Sequence, residues 1–180
     1  MEFPKAFTDL LDSIFLEKNH FPRTHIFEEG WMLRILMHLH AQGNSCFPIE
    51  TLKDSFWYSE AQIQTPFKPR YRSDPLSESR THTDGAFGHF TIDSETKSGL
   101  RLNMKAKQFI VLEAKMKSGL SQGVKNSPFY DQASRTIACM AKEIQELKNQ
   151  VENLTSTGFY IVAPQKQILR GIFEKISQLL

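Results

Sequence analysis

Glu113 and Lys115 stand two residues apart at the end of the apolar run Phe109-Ile110-Val111-Leu112. Four consecutive apolar residues read as a strand covered on both faces, and positions i and i+2 of a strand point to one side. A carboxylate and an ammonium therefore project together from the end of what should be a central strand. Two charges beside an apolar run are costly unless a partner charge or a metal ion compensates, which makes the pair a candidate site. With a second acid, the set suits phosphodiester hydrolysis. Two carboxylates and a backbone carbonyl can hold a hydrated Mg2+ ion. Such an ion polarises a phosphate and lowers the pKa of a water, while a nearby lysine stabilises developing charge or orients the nucleophile. His82-Thr83-Asp84-Gly85 offers the second acid at the start of the preceding strand, and antiparallel pairing can bring that start beside Glu113.

Context, not spelling, selects this pair. The Glu-x-Lys spacing occurs three times, also at Glu95-Thr96-Lys97 and Glu146-Leu147-Lys148. The first of these lies in a polar, Gly-flanked stretch that reads as a hairpin tip. The second falls inside a helical pattern, where i and i+2 face apart.

The elements that must position the pair follow from periodicity and punctuation. Phe7, Leu10, Leu11, Ile14 and Phe15 recur at helical spacing and predict a helix over about 4–17. A second helix is expected over about 28–41, opened by Glu28 and Glu29, burying Trp31, Leu33, Ile35, Leu36 and Leu39, and ended by Gly43-Asn44. A short helix near 49–56 is weakly signalled. Residues 61–81, with Pro66, Pro69 and Pro75, read as an irregular loop. A hairpin is expected next, with strands near 83–92 and 102–116 around a turn at 93–99. A Gly/Ser-rich connection leads to a long helix over 128–154, with Ser127 as N-cap and Pro128 at the first position. Phe159-Tyr160-Ile161-Val162-Ala163 reads as a strand, and a C-terminal helix follows Pro164.

The resulting order predicts an α/β fold in which a mixed sheet is flanked by helices. The β-α-β unit at its end implies a parallel strand pair with a right-handed crossover. At 180 residues, with no internal repeat and no clear linker, a single domain over 1–180 is expected. The heptad-like run at 137–154 is open to a coiled-coil homodimer, but a helix laid on the sheet suits its short length better. Apolar residues make up 40% and charged residues 23% of the chain, as in a soluble globular protein. No stretch approaches the ~20 apolar residues that span a bilayer. The N-terminus lacks the basic start and apolar core of a secretory signal, so a cytoplasmic location and no membrane partner are expected. Cys46 and Cys139 have no metal-ligand spacing, and Cys139 reads as a buried free thiol. A net charge of +2 permits nucleic-acid binding without requiring it.

Asp84-Gly85 on one strand and Glu113-Ala114-Lys115 ending an apolar strand, in this order of elements, resemble the PD-(D/E)xK nuclease superfamily and its restriction-endonuclease-like fold. The resemblance spans about residues 80–163, with helices over 4–41 preceding it. It implies a Mg2+-dependent nuclease, with Mn2+ as a substitute, that hydrolyses phosphodiester bonds, of DNA in preference to RNA. It further implies Asp84 and Glu113 as metal ligands, the Ala114 carbonyl as a backbone ligand and Lys115 as the catalytic cation beside the attacking water. A further acid on an early helix matches Glu28 or Glu29, with Glu29 preferred. A glutamine on the following helix matches Gln132, and Gln132 and Arg135 share a helical face near its positive end, where phosphate binds well. The residue before the aspartate is Thr83 where the superfamily often has proline.

The cations Lys68, Arg70 and Arg72, interleaved with Phe67 and Tyr71, could hold phosphates and stack on bases, or form a solvated loop. Asp84-Gly85 is also a common turn dipeptide, and Asp93 is a rival acid at the expected hairpin tip. His82 and His89 read as polar strand residues or substrate contacts. Two other functions remain open. One is a catalytically silent nucleic-acid-binding or assembly protein of the same fold. The other is an unrelated α/β protein in which Glu113 and Lys115 form a structural ion pair.

Overall fold

The computed structural model describes Lys5, Asp9 and residues 28–74, 77–78, 81–93, 99–116, 119–121 and 131–171, leaving aside the side chains of Glu28 and Glu29. Among the described residues six strands form one mixed sheet: β1 (Phe56–Ile63), β2 (Thr81–Gly88), β3 (Phe90–Asp93), β4 (Gly99–Leu102), β5 (Gln108–Ala114) and β6 (Ser156–Val162), in the spatial order β3-β4-β1-β2-β5-β6. β2 pairs antiparallel with both β1 and β5, and β5 pairs parallel with β6. Helix α1 (Glu28–Ala41) precedes the sheet, α2 (Gln132–Gln145) makes the crossover from β5 to β6, and a short α3 (Gln165–Ile168) follows β6. The α/β class and the mixed, helix-flanked sheet are as expected.

The apolar pattern explains the layering. Every residue of β5 is buried, as a central strand with helices on both sides requires. On one face Leu33 and Met37 of α1 pack on Trp57, Phe87, Ile110 and Leu112. On the other, Cys139 and Met140 of α2 pack on Tyr58, Ala61, Phe109 and Val111. Helix α2 is thus laid on the sheet, although Ile137 from the same repeat is 50% exposed. Cys139 is a buried free thiol. Among the described residues no helix is long and apolar enough to cross a membrane.

Helix α1 keeps its expected bounds of 28–41. Asn44 closes it with both its backbone and side-chain N–H donating to the Leu39 carbonyl at 3.1 and 3.0 Å. Other expectations need correction. Residues 49–55 form no helix, and strand β1 runs from the last residue of that expected helix, through 57–60, into the first residues of the expected loop. Phe56-Trp57-Tyr58 are good strand formers, but Ser59 and Glu60 interrupt the apolar signal. The hairpin is also more elaborate than a single turn at 93–99. Gly88 has φ +145°, and a Cβ there would lie 2.0 Å from the Gln108 carbonyl oxygen. The chain bends at this point, so β2 pairs with β5 while β3 and β4, which lie between them in sequence, form a separate antiparallel pair at the far edge of the sheet.

The long helix is shorter than its periodicity predicts. It begins at Gln132 with Asp131 as N-cap, whose carboxylate accepts the Ser134 N–H at 2.7 Å; the expected cap, Ser127, lies outside the described residues. It ends at Gln145, and residues 148–153 form a separate 3-10 turn after Leu147 turns into the core. Lys148 has φ +50°, a conformation no helix interior contains. The expected first helix (4–17), apart from helical Lys5 and Asp9, and the C-terminal helix beyond 171 lie outside the described residues.

Candidate active site

The site forms where β2 begins, β5 ends and α2 begins. Alternation along β5 puts Phe109, Val111 and Glu113 on the α2 face, and Lys115 follows on the same side one residue past the strand. The Lys115 N–H donates to the Val162 carbonyl at 2.8 Å, which holds this residue in strand-like alignment with β6. Lys115 Nζ lies 2.5 Å from Glu113 Oε1, and both side chains are nearly buried. The Gln132 amide, from the first turn of α2, donates to the same Oε1. No hydrogen bond within the described residues uses Oε2.

Asp84 arrives from the neighbouring strand. The β2–β5 ladder pairs Gly85 with Leu112, so one step further sets Asp84 opposite Glu113. The ladder stops there because Asp84 Oδ2 accepts the Ala114 N–H at 2.7 Å. The aspartate side chain thus substitutes for a backbone acceptor and is drawn toward β5. The Asp84-Gly85 dipeptide lies within a strand, not in a turn.

Electrostatics follow from this crowding. Burial, and then the negative charge of Asp84, push the Glu113 carboxyl up to about 7, against the opposing pull of Lys115 and Gln132. Two carboxylates in contact with apolar layers favour a cation between them. Among the described residues no group of three or more His, Cys, Asp or Glu side chains is arranged to hold a metal ion. Asp84 and Glu113 are a two-carboxylate set, which fits Mg2+, an ion commonly held by one or two carboxylates with several waters.

A second cluster, unforeseen in the sequence, backs this one. Arg34 of α1 is fully buried, its Nε donating to Ser59 Oγ at 3.1 Å and its Nη2 lying 3.6 Å from Glu60 Oε1. Burial draws the guanidinium below its ordinary range, while Glu60 and then Asp84 draw it back up. The β1–β2 register sets Glu60 opposite Asp84, and Glu60 has φ +59°, a strained conformation for a non-glycine strand residue. The available signals were an arginine within an apolar helix and a glutamate within an aromatic strand.

The remaining expected residues are distributed as follows. Arg135 is buried and its Nη2 lies 3.3 Å from Glu78 Oε1. Lys68, Arg70 and Arg72 are exposed, and Arg70 Nε is bound to Asp74 Oδ2 at 2.9 Å. Helix α1 carries Glu29 in its first turn, but the side chain lies outside the described residues. Asp93 ends β3, on the far edge of the sheet from β5. His82 Nε2 meets the Gln62 amide at 3.1 Å. His89 ties the backbone together: its Nδ1 accepts the N–H groups of Lys107 and Gln108, and its Nε2 donates to the Lys53 carbonyl.

No family model, curated protein or solved structure matches the chain.

Proposed function

We propose that this protein is a Mg2+-dependent nuclease of the restriction-endonuclease-like fold that hydrolyses phosphodiester bonds, of DNA above RNA. The observation that carries the reading is the meeting of Asp84, Glu113, Lys115 and Gln132 at one end of the sheet, from two adjacent strands and the crossover helix. The succession α1, β1, β2, β5, α2, β6 supports the same family resemblance.

Asp84 and Glu113 would hold the ion with the Ala114 carbonyl, and Glu113 Oε2 is the oxygen that Lys115 and Gln132 leave open. When bound, Mg2+ would polarise the phosphate and supply a water of lowered pKa. The Gln132 amide and the Lys115 ammonium both hold the Glu113 carboxylate through Oε1. Lys115 Nζ, held beside Glu113, donates toward negative charge that develops on the phosphoryl oxygens. The Ala114 N–H fixes Asp84 in the same way. Each side chain is held in place before substrate arrives, which is what positional catalysis requires.

The test is a cleavage assay on a panel of DNA and RNA shapes with Mg2+ or Mn2+. Asp84→Asn should lower cleavage by about 10²-fold or more, as loss of a charge-stabilising group does, while circular dichroism stays parental. Parental cleavage by that variant would end the reading. A catalytically silent DNA-binding protein is the second reading. It is favoured by the two donors already engaged on Glu113 Oε1, Lys115 and Gln132. It predicts salt-dependent binding with no divalent-dependent cleavage in the same assay.

A further inference from the structure

Arg135 has more donors than its surroundings use. It is the fourth residue of α2, three positions after Gln132, and only 8% of it is exposed. Its Nη2 faces Glu78 Oε1 at 3.3 Å, while Nε and Nη1 are buried and have no hydrogen-bond partner among the described residues. Glu78 Oε2 accepts the Thr81 hydroxyl at 2.9 Å. One carboxylate is therefore gripped by a guanidinium and a hydroxyl, yet among the described residues two guanidinium nitrogens, Nε and Nη1, are left without an acceptor. Buried donors in that state are costly and rare.

A planar carboxylate has two oxygens and both are taken. A phosphate carries its oxygens in a tetrahedron with greater charge, and a guanidinium fork matches it well. The first turn of a 14-residue helix adds its own preference for an anion. Glu78 is fixed at its backbone, where its N–H donates to the Phe67 carbonyl at 2.7 Å, while its side chain keeps 17% exposure. We propose that Arg135, with the Thr81 hydroxyl beside it, is a phosphate-binding subsite that the Glu78 carboxylate fills until a nucleic-acid phosphate displaces it.

Thr81 precedes Asp84 by three strand residues, about 10 Å at ~3.3 Å per residue. The phosphate held here would lie on the same strand as Asp84, on the order of 10 Å along it. The proposal rests on the nuclease reading for the identity of its ligand. That ligand is either an internal phosphodiester or a terminal phosphate, two sources of one chemistry.

The experiment measures binding of the full chain to fluorescent duplex oligonucleotides in EDTA, over a series of NaCl concentrations. The duplexes carry either 5′-phosphate or 5′-hydroxyl ends. Glu78→Gln removes the competing charge and should tighten binding about tenfold, while Arg135→Lys keeps a cation but loses the fork and should weaken it about tenfold. A preference for 5′-phosphate ends that disappears in Arg135→Lys assigns a terminal phosphate; equal affinity for both ends assigns an internal diester. Unchanged or weaker binding by Glu78→Gln would make the pair a plain structural ion pair and overturn the proposal. If that variant does not fold, Arg135→Lys decides alone, and parental affinity there overturns it. Cleavage is not read, so a chain that shows these shifts but never cuts DNA would remove the nuclease reading and leave the subsite standing.

Discussion

Replacing Glu113 by Gln tests the electrostatics of the site directly. The carboxyl rises from an ordinary 4.5 to about 7 on folding, through burial first and Asp84 second. Each tenfold change in proton affinity is worth about 1.4 kcal/mol, so the rise corresponds to about 3 kcal/mol. The sign follows from which state holds the proton more tightly. Because the folded carboxyl is the weaker acid, its contribution favours folding most below pH 4.5. It declines as pH climbs from 4.5 to about 7 and is level above that. The amide has the same shape and does not titrate. Urea unfolding of both proteins in EDTA, at intervals from about pH 4.5 to 8, gives a difference curve in which other titrating groups largely cancel. That curve should fall by up to about 3 kcal/mol over this window, with the parental protein losing ground. Saturating Mg2+ or Mn2+ at about pH 8 should restore the parental protein by about 2.7 kcal/mol at one hundred times Kd and leave Glu113→Gln unmoved. A flat difference curve, or one that rises with pH, would refute the reasoning.

Lys115→Met removes the cation and hydrogen bond that hold the Glu113 carboxyl down. The window of declining stability should then extend above about pH 7 in the same titration, and cleavage should fall about 10²- to 10³-fold. Gly85→Ala would place a Cβ 2.8 Å from Met37 Sδ and 3.0 Å from Leu33 Cδ2, closing the gap between β2 and α1. Thermal unfolding should show a loss of about 1–3 kcal/mol, toward the low end because Met37 can yield.

The central strand and its charged end were legible because the signal is local. Phe109–Leu112 is apolar without a break, and Glu113 and Lys115 follow at the spacing that puts both on one face. The pairing of β2 with β5 could also be anticipated from order alone. Strand β1 could not, because Ser59 and Glu60 break its apolar run, and their environment is supplied by Arg34 from a helix 25 residues away. Gln132 was expected near phosphate, and its amide instead meets Glu113, a contact that depends on how far along the chain α2 begins. That start is set by Asp131 capping the helix, whereas Ser127-Pro128 offered the stronger local signal. The Glu78–Arg135 pair spans 57 residues, and nothing in either local stretch announces it.

The β3–β4 ribbon has an architectural implication. Gly88 and Phe109 already sit across from one another, so the backbone spends some twenty residues leaving and returning to almost the same place. Asp84 and Glu113 are aligned by the strands that flank this excursion, not by the excursion itself. The ribbon contributes Phe90 and Leu100 to the apolar layer beneath α2; its described ladder pair with β1 is Gln62–Gly99, and Phe90 also meets Phe56 of β1 edge-on at 5.6 Å. The ribbon is thus tied into the apolar layer under α2 yet takes no part in the register of the two acids, which β2 and β5 set between themselves.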